Sequence, residues 1–261
     1  MQIIKSFLRL QSYQTGIVII LSFVTTYFCL RYDVTANLPT TLIGIAIVFP
    51  IVFSINAAYR RREEALKYFA SVKAHCVALY YAHRDWVSQE SEPHVDRIKK
   101  LINGLIAEVR TCLASGMNKK GNFHGVYRLF SEISGSIEKL RQAGVPANEV
   151  SRANQYLRTM MIDFERMRNI SLYRTPTALR AYSQVFLNSF PVLFAPYFAH
   201  LSKQSFPVVG FIVAAFYSLV LVSLDNIQER LENPYDEFGV DDVKLNVIEE
   251  YEGVFTDKVQ E

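Results

Sequence analysis

Four long stretches without a charged side chain divide this chain into apolar ends and a polar middle. Asp, Glu, Lys and Arg are absent from residues 10–30, 34–59, 181–199 and 204–224, whereas residues 60–180 carry most of the charge. A helix that crosses a bilayer needs about 20 predominantly apolar residues, and each stretch provides that length. The pattern predicts an all-α integral membrane protein with four transmembrane helices arranged in two hairpins.

The stretches give four segments along the chain. The first hairpin occupies residues 1–59, with spans at about 10–30 and 39–59, and the second hairpin occupies residues 181–224. Between them, residues 60–180 form a helical domain, in which apolar positions such as Ile98, Leu101 and Leu105 recur every three or four residues. Residues 225–261 are the C-terminal tail.

Glycine and proline positions refine these helices. No Gly or Pro separates the second span from the helix expected over residues 61–86, so one continuous helix is predicted to leave the membrane. Pro191 and Pro196 lie inside the third span, which we expect to be kinked or broken. One helix is expected to end near Gly144 and the next to open at Pro146.

Basic residues predict which ends of the spans share a face. Arg and Lys precede the first span, follow the second and precede the third, at Lys5, Arg9, Arg60, Arg61, Arg62, Arg166, Arg168, Arg174 and Arg180. Because basic residues favour the cytoplasmic side, both termini and the middle domain are predicted to be cytoplasmic, or on the equivalent face of an organelle. A signal peptide is the alternative for the first span, but no small-residue cleavage pattern follows that span.

Composition and motifs narrow the function classes. A net charge of +3 without a long basic block does not favour nucleic acid as a partner. The three cysteines lie far apart, and the chain has neither a phosphate-binding glycine loop nor a GxSxG or HExxH motif. We therefore expect no enzymatic activity and no resident cofactor.

The second span carries a regular stripe of bulky side chains. Ile45, Phe49 and Phe53 recur at every fourth position and form a stripe about 12 Å long on one side of a helix. One interpretation is a helix-packing face. The other is a pore lining, in which several copies of the helix stack the stripe into apolar rings that gate by dewetting. Aromatic edges turned toward the axis would favour an anion, and Ser54 and Asn56 would lie where hydration resumes.

Three segments, taken in order, resemble the bestrophin family of pentameric ion channels. Residues 44–65 resemble the pore helix of the family and its polar exit, and residues 164–167 with Thr175, Pro176 and Tyr182 are similar to the entry to the third span. Residues 224–242, which contain Asn233-Pro234-Tyr235, resemble the signature after the fourth span, usually written Asn-Pro-Phe. The resemblance covers most of the chain, from about residue 5 to residue 246.

The resemblance implies a homopentamer in a lipid bilayer that conducts chloride-type anions passively through a central pore. It places Ile45, Phe49 and Phe53 on the family's hydrophobic neck. Ser54, Asn56, Arg60 and Arg61 are the candidates for the pore exit, just beyond the stripe.

Two further sites follow from the resemblance. The lower constriction, or aperture, is expected near the helix that opens at Pro146, with Val145 and Val150 as candidates. Candidate calcium ligands lie in the tail, at Asp236, Glu237, Asp241 and Asp242. Calcium-gated members carry a longer acidic run there, whereas here residues 238–240 split it, so calcium gating is not predicted.

Two alternatives remain open. The first is a cation-permeable or nonselective channel of the same architecture. The second is a nonconducting membrane scaffold or sensor, in which Phe49 and Phe53 face lipid or a tight core. A transporter with inverted repeats is disfavoured, because no ionisable residue lies in the middle of a span.

Overall fold

The computed structural model describes residues 13–87, 91–114, 123–173, 177–236 and 242–256. Over these ranges the chain is α-helical, as the sequence predicted. The helices described are α1 Tyr13–Arg31, α2 Thr40–Asp85, α3 Ser91–Ala114, α4 Phe123–Gln142, α5 Ala147–Leu172, α6 Thr177–Leu193, α7 Ala195–Gln204, α8 Val209–Glu232 and α9 Ile248–Thr256.

The length of α2 and the boundary between α4 and α5 agree with the expectations from the Gly and Pro positions. Helix α2 runs unbroken for 46 residues, which confirms the continuous helix. Gly144 adopts φ +87°, and the amide of Val145 donates to the Leu140 carbonyl at 3.1 Å, so α4 ends in a glycine cap. Pro146 is the N-cap residue of α5.

The predicted break in the third span lies at Phe194, between α6 and α7. Pro191 has no amide hydrogen to donate, and Pro196 lies in the first turn of α7, where that loss is tolerated. The hydroxyl oxygen of Thr25 lies 3.0 Å from the Pro191 carbonyl and 2.8 Å from the Leu21 carbonyl. Thr25 can therefore donate a hydrogen bond at the break, as Ser and Thr do in membrane helices.

The chain divides into two compact units. Unit 1 comprises Met1–Arg60 and Thr175–Glu232, and unit 2 comprises Arg61–Arg174 and Asn233–Glu261.

Small side chains let the helices of unit 1 approach closely. Helix α1 buries Thr15, Val18, Ser22 and Thr26, which recur along one face. Helix α8 buries Gly210, Ala214 and Ser218 at every fourth position. Small residues at this spacing are typical of membrane helix interfaces. An aromatic cluster on α6 and α7 completes the core of this unit, with Phe190, Phe194 and Phe198.

The two short connectors of unit 1 meet at one end. Lys203, at the end of α7, donates to the carboxylate of Asp33, which follows α1. The amide of Ala36 donates to the Pro196 carbonyl at 3.3 Å. The two connectors therefore lie together at one end of unit 1.

Unit 2 is a helical bundle built from the second part of α2 with α3, α4 and α5. Its core is a continuous set of buried apolar residues that includes Leu79, Ile102, Ile133 and Phe164. The tail adds buried residues to the same core, at Tyr235, Val243, Leu245, Val247 and Phe255. The described part of the tail thus packs on its own chain, and α9 is an element that the sequence analysis did not predict.

Candidate functional site

Helix α2 has one face that packs into unit 1. Ile51, Ser54 and Ala58 are 1%, 0% and 0% exposed, and Ile51 belongs to the apolar core of the unit. Their spacings of three and four residues place them on one side of the helix.

The opposite face of α2 is exposed in the single chain. Phe49 and Phe53 are 60% and 55% exposed, and Asn56 and Arg60 are also exposed. At about 100° per residue, these four positions lie within about 40° of Phe49, roughly opposite the packed face. We call them the exposed stripe. Ile45 extends the same helical register, but its side chain lies outside the described residues.

Within the stripe, Phe49 and Phe53 pack against each other. Their ring centroids are 4.5 Å apart and their planes are inclined by 76°. An edge-to-face pair of this kind is a favoured aromatic geometry. The pair is therefore a defined apolar surface that no described residue of the chain covers.

The stripe changes character along the helix. Asn56 is its first polar side chain after the phenylalanines, and Arg60 is the first charge in the sequence after Asp33. The surface therefore passes from aromatic to amide to cationic over about 16 Å of helix.

The other two exit candidates do not lie on this stripe. Ser54 is fully buried on the packed face, and its hydroxyl has no hydrogen-bond partner among the described residues. Arg61 is half-buried, and its guanidinium donates to the carbonyl oxygens of Ile170 and Tyr173 at the end of α5. The spacing of Ile51, Ser54 and Ala58 could have indicated that Ser54 is buried. No motif in the sequence signalled the contact of Arg61 with the end of α5.

The aperture candidates lie in the core of unit 2. Val145 and Val150 are 6% and 7% exposed and pack with the other apolar residues of the bundle. Both would have to leave that core to line a conduit in this chain, so neither enters the pore proposed below.

The calcium candidates are only partly described. Asp236 and Asp242 are half-buried, and Glu237 and Asp241 lie outside the described residues. In the part of the chain that the structure describes, no group of three or more His, Cys, Asp or Glu side chains is arranged to hold a metal ion.

Three of the described helical segments are long and apolar enough to cross a bilayer: Tyr13–Arg31, Gln184–Gln204 and Val209–Glu232. The second of these includes the break at Phe194. Together with the exposed stripe, they define an all-helical membrane protein whose third candidate span leads directly to the Asn233-Pro234-Tyr235 segment.

Solved structures that are similar in fold to this chain include bacterial bestrophin homologues. A variant of a bestrophin homologue from Klebsiella pneumoniae has a TM-score of 0.76 and 19% identity, covering 94% of this chain and 98% of that one. Another structure of a Klebsiella pneumoniae bestrophin homologue has a TM-score of 0.73 and 17% identity, covering 90% and 93%. No protein-family model and no curated protein matches this chain. The bestrophin resemblance is therefore confirmed at the level of the fold.

Proposed function

We propose that this chain is one subunit of a homopentameric channel that conducts chloride-type anions passively across a lipid bilayer. The neck of the pore is formed by Ile45, Phe49 and Phe53 of α2, with Asn56 and Arg60 at its exit. No covalent chemistry and no resident cofactor are part of this proposal.

The observation that carries the proposal is the two-sided character of α2. Its packed face contains Ile51 and Ala58, while Phe49 and Phe53 point away from the core of unit 1. Copies of this helix around an axis would stack the phenylalanines into apolar rings, which exclude water and close a pore by dewetting. The likeness in fold to bacterial bestrophin homologues supports the same arrangement.

The first part of α2, which is the second span of the sequence analysis, is also proposed to cross the bilayer, in addition to the three helical segments given above. Residues 34–59 contain no Asp, Glu, Lys or Arg, and Arg60, Arg61 and Arg62 follow at once. Basic residues at that end favour a cytoplasmic exit, with both termini and unit 2 on the same side.

The aromatic pair supports anion preference. Because the rings are inclined by 76°, Phe49 and Phe53 cannot both present their negative faces in one direction. A ring edge is electropositive and attracts an anion more than a cation. Arg60 adds a positive charge at the end of the same stripe. This bias is modest, so a cation-permeable or nonselective channel is the second candidate.

The experiment is the reversal potential of purified protein in a planar bilayer under a KCl gradient, first with calcium chelated and then with calcium added. A reversal potential close to that of chloride is expected, whereas a value close to that of potassium would reject anion selectivity. A dependence on added calcium would assign a role to Asp236 and its acidic neighbours. No current in either condition would favour a nonconducting scaffold, whose Phe49 and Phe53 contact lipid.

A further inference from the structure

The end of helix α5 receives its hydrogen-bond donors from helix α2. The last carbonyls of a helix have no amide partner within that helix. The Asn169 carbonyl is satisfied by the amide of Tyr173 at 2.9 Å. The carbonyls of Ile170 and Tyr173 both accept from Nη2 of Arg61, which lies 3.2 Å from the Ile170 oxygen. A guanidinium is well suited here, since one nitrogen carries two hydrogens and its charge complements the helix terminus.

This acceptor site is part of a packed element. Ile170 and Ser171 are buried, and the Ser171 hydroxyl lies 3.4 Å from the Leu113 carbonyl of α3. The end of α5 is thus fixed within unit 2, and Arg61 attaches α2 to a rigid point.

Arg61 also has a defined place relative to the exposed stripe. It directly follows Arg60, the last residue of the stripe, and lies about 120° around the helix from Phe49. From residue 51 to residue 85 the helix contains no Gly or Pro, and these are the usual causes of a bend. A rotation of α2 at Arg61 would therefore be transmitted to Phe53, about two turns away.

We propose that Arg61 is a positioning residue for the channel, which sets the rotation of α2 about its own axis and so holds Phe49 and Phe53 toward the pore. This inference rests on the proposed function. It assigns to Arg61 an effect on opening and closing, and no direct contact with the permeating ion.

Single-channel recordings test the inference with wild type, Arg61→Ala, Arg61→Lys and Lys67→Ala. Arg61→Ala loses the charge-assisted contact with the end of α5, so its open probability should differ from that of wild type about tenfold. Its unit conductance and reversal potential should stay unchanged. Arg61→Lys keeps the charge but not the planar fork, so it should also differ from wild type. Lys67 is an exposed cation on the same helix, and Lys67→Ala should leave the open probability unchanged.

Two results would overturn the proposal. The first is a lower unit conductance and a shifted reversal potential in Arg61→Ala that Arg61→Lys restores, because that pattern belongs to a charge lining the conduit. The second is an open probability that neither Arg61 variant changes.

Thiol labelling tests the rotation without any current. With Cys29, Cys76 and Cys112 replaced by Ala, Phe53→Cys should label much faster than Ser54→Cys each time the pore opens, because position 53 faces the conduit and position 54 is buried within the chain. Adding Arg61→Ala should reduce that ratio of rates at least severalfold. An unchanged ratio would reject the positioning role even if the wild type conducts. A reduced ratio in a protein that carries no current would reject the channel and keep the effect of Arg61 on the helix.

Discussion

The rings of Phe49 and Phe53 meet edge to face on the exposed side of helix α2, with their centroids 4.5 Å apart. About half a turn from each ring, on the packed side, Ile51 lies in the apolar core of unit 1. The same helix therefore provides a structural face and an aromatic face. The aromatic face is left uncovered by its own chain. In the proposed channel, this face meets the same face of the other subunits around the dry neck.

Truncation of both phenylalanines tests this assignment. The double variant Phe49→Ala, Phe53→Ala should raise single-channel conductance roughly tenfold, which corresponds to a barrier lower by about 1.4 kcal/mol. The physical reason is that smaller side chains let water into the neck. Single-channel recording in planar bilayers measures the change.

Phe216→Ala provides the matched control. Phe216 is an exposed phenylalanine of α8, with 64% of its surface accessible, and it lies outside the proposed pore. Its removal should leave conductance unchanged. Equal conductance in the double variant and the wild type would show that Phe49 and Phe53 do not line the conduit.

Gly210 permits the close approach of α7 and α8 in unit 1. A Cβ atom there would overlap the carbonyl oxygen of Phe198 and the hydroxyl of Ser202, which accepts a hydrogen bond from the Gly210 amide at 3.1 Å. Because a backbone oxygen has little room to move, Gly210→Ala should cost about 2 kcal/mol or more. Thermal unfolding of the detergent-purified protein should show a Tm lower by roughly 5 °C.

The matched control for this variant is Gly16→Ala. Nothing lies within 4 Å of a Cβ atom added at Gly16, on α1 of the same unit. This variant should keep the wild-type Tm. If Gly210→Ala also kept it, the packing of the α7–α8 hairpin would differ from the one described.

His83 makes the stability of unit 2 depend on pH. Its Nδ1 donates to the Leu79 carbonyl at 2.9 Å, so its Nε2 accepts from the Ser136 hydroxyl at 2.8 Å. Burial lowers the pKa of His83 below its ordinary value of 6.5, against smaller opposing effects of the hydrogen bonds. The nearby His94 lowers the same pKa slightly further. The folded state therefore holds this ring neutral.

The sign of the pH effect follows from that shift. The unfolded chain binds a proton at His83 below about pH 6.5, whereas the folded chain does not, so stability is complete above that pH and falls as the pH decreases. One titrating group can change the free energy of unfolding by at most about 1.4 kcal/mol per pH unit. Thermal unfolding between pH 7.5 and 5.5 should show a falling Tm for wild type and a weaker fall for His83→Gln. His124→Gln, at an exposed histidine, should keep the wild-type dependence.

Sequence periodicity and proline positions predicted most of the described fold. Pro191 and Pro196 predicted the break at Phe194, because each proline lacks an amide hydrogen and two of them lie within six residues of one span. The uninterrupted sequence after Pro50 likewise predicted the long helix α2. These are local rules, and no long-range contact was needed to apply them.

The candidate site was only partly predictable, since partners distant in sequence decide it. The fourfold spacing of Phe49 and Phe53 identified an aromatic stripe but did not show which face of α2 packs. The attachment of Arg61 to the end of α5 depends on residues more than 100 positions away. Val145 and Val150 belong to an apolar core that also includes the distant tail residue Tyr235.

Tyr235 offers a test of the tail, because its hydroxyl is a buried polar group. The side chain is 0% exposed within the core of unit 2, and its hydroxyl oxygen has no hydrogen-bond partner among the described residues. A buried hydroxyl without a partner costs about 1–3 kcal/mol, so Tyr235→Phe should keep or raise the Tm. This change also gives the Asn-Pro-Phe form of the bestrophin signature.

Tyr80→Phe is the matched comparison, because the Tyr80 hydroxyl donates to the Phe255 carbonyl of α9 at 2.7 Å. Removing that donor should lower stability by about 1 kcal/mol. Tyr235→Ala should lower it by about 3–5 kcal/mol, since the variant leaves a cavity where an aromatic ring was packed. Thermal unfolding of the three variants beside wild type therefore gives a definite order. A Tyr235→Phe variant less stable than Tyr80→Phe would mean that the Tyr235 hydroxyl has a partner, and that the tail packs differently from the arrangement described.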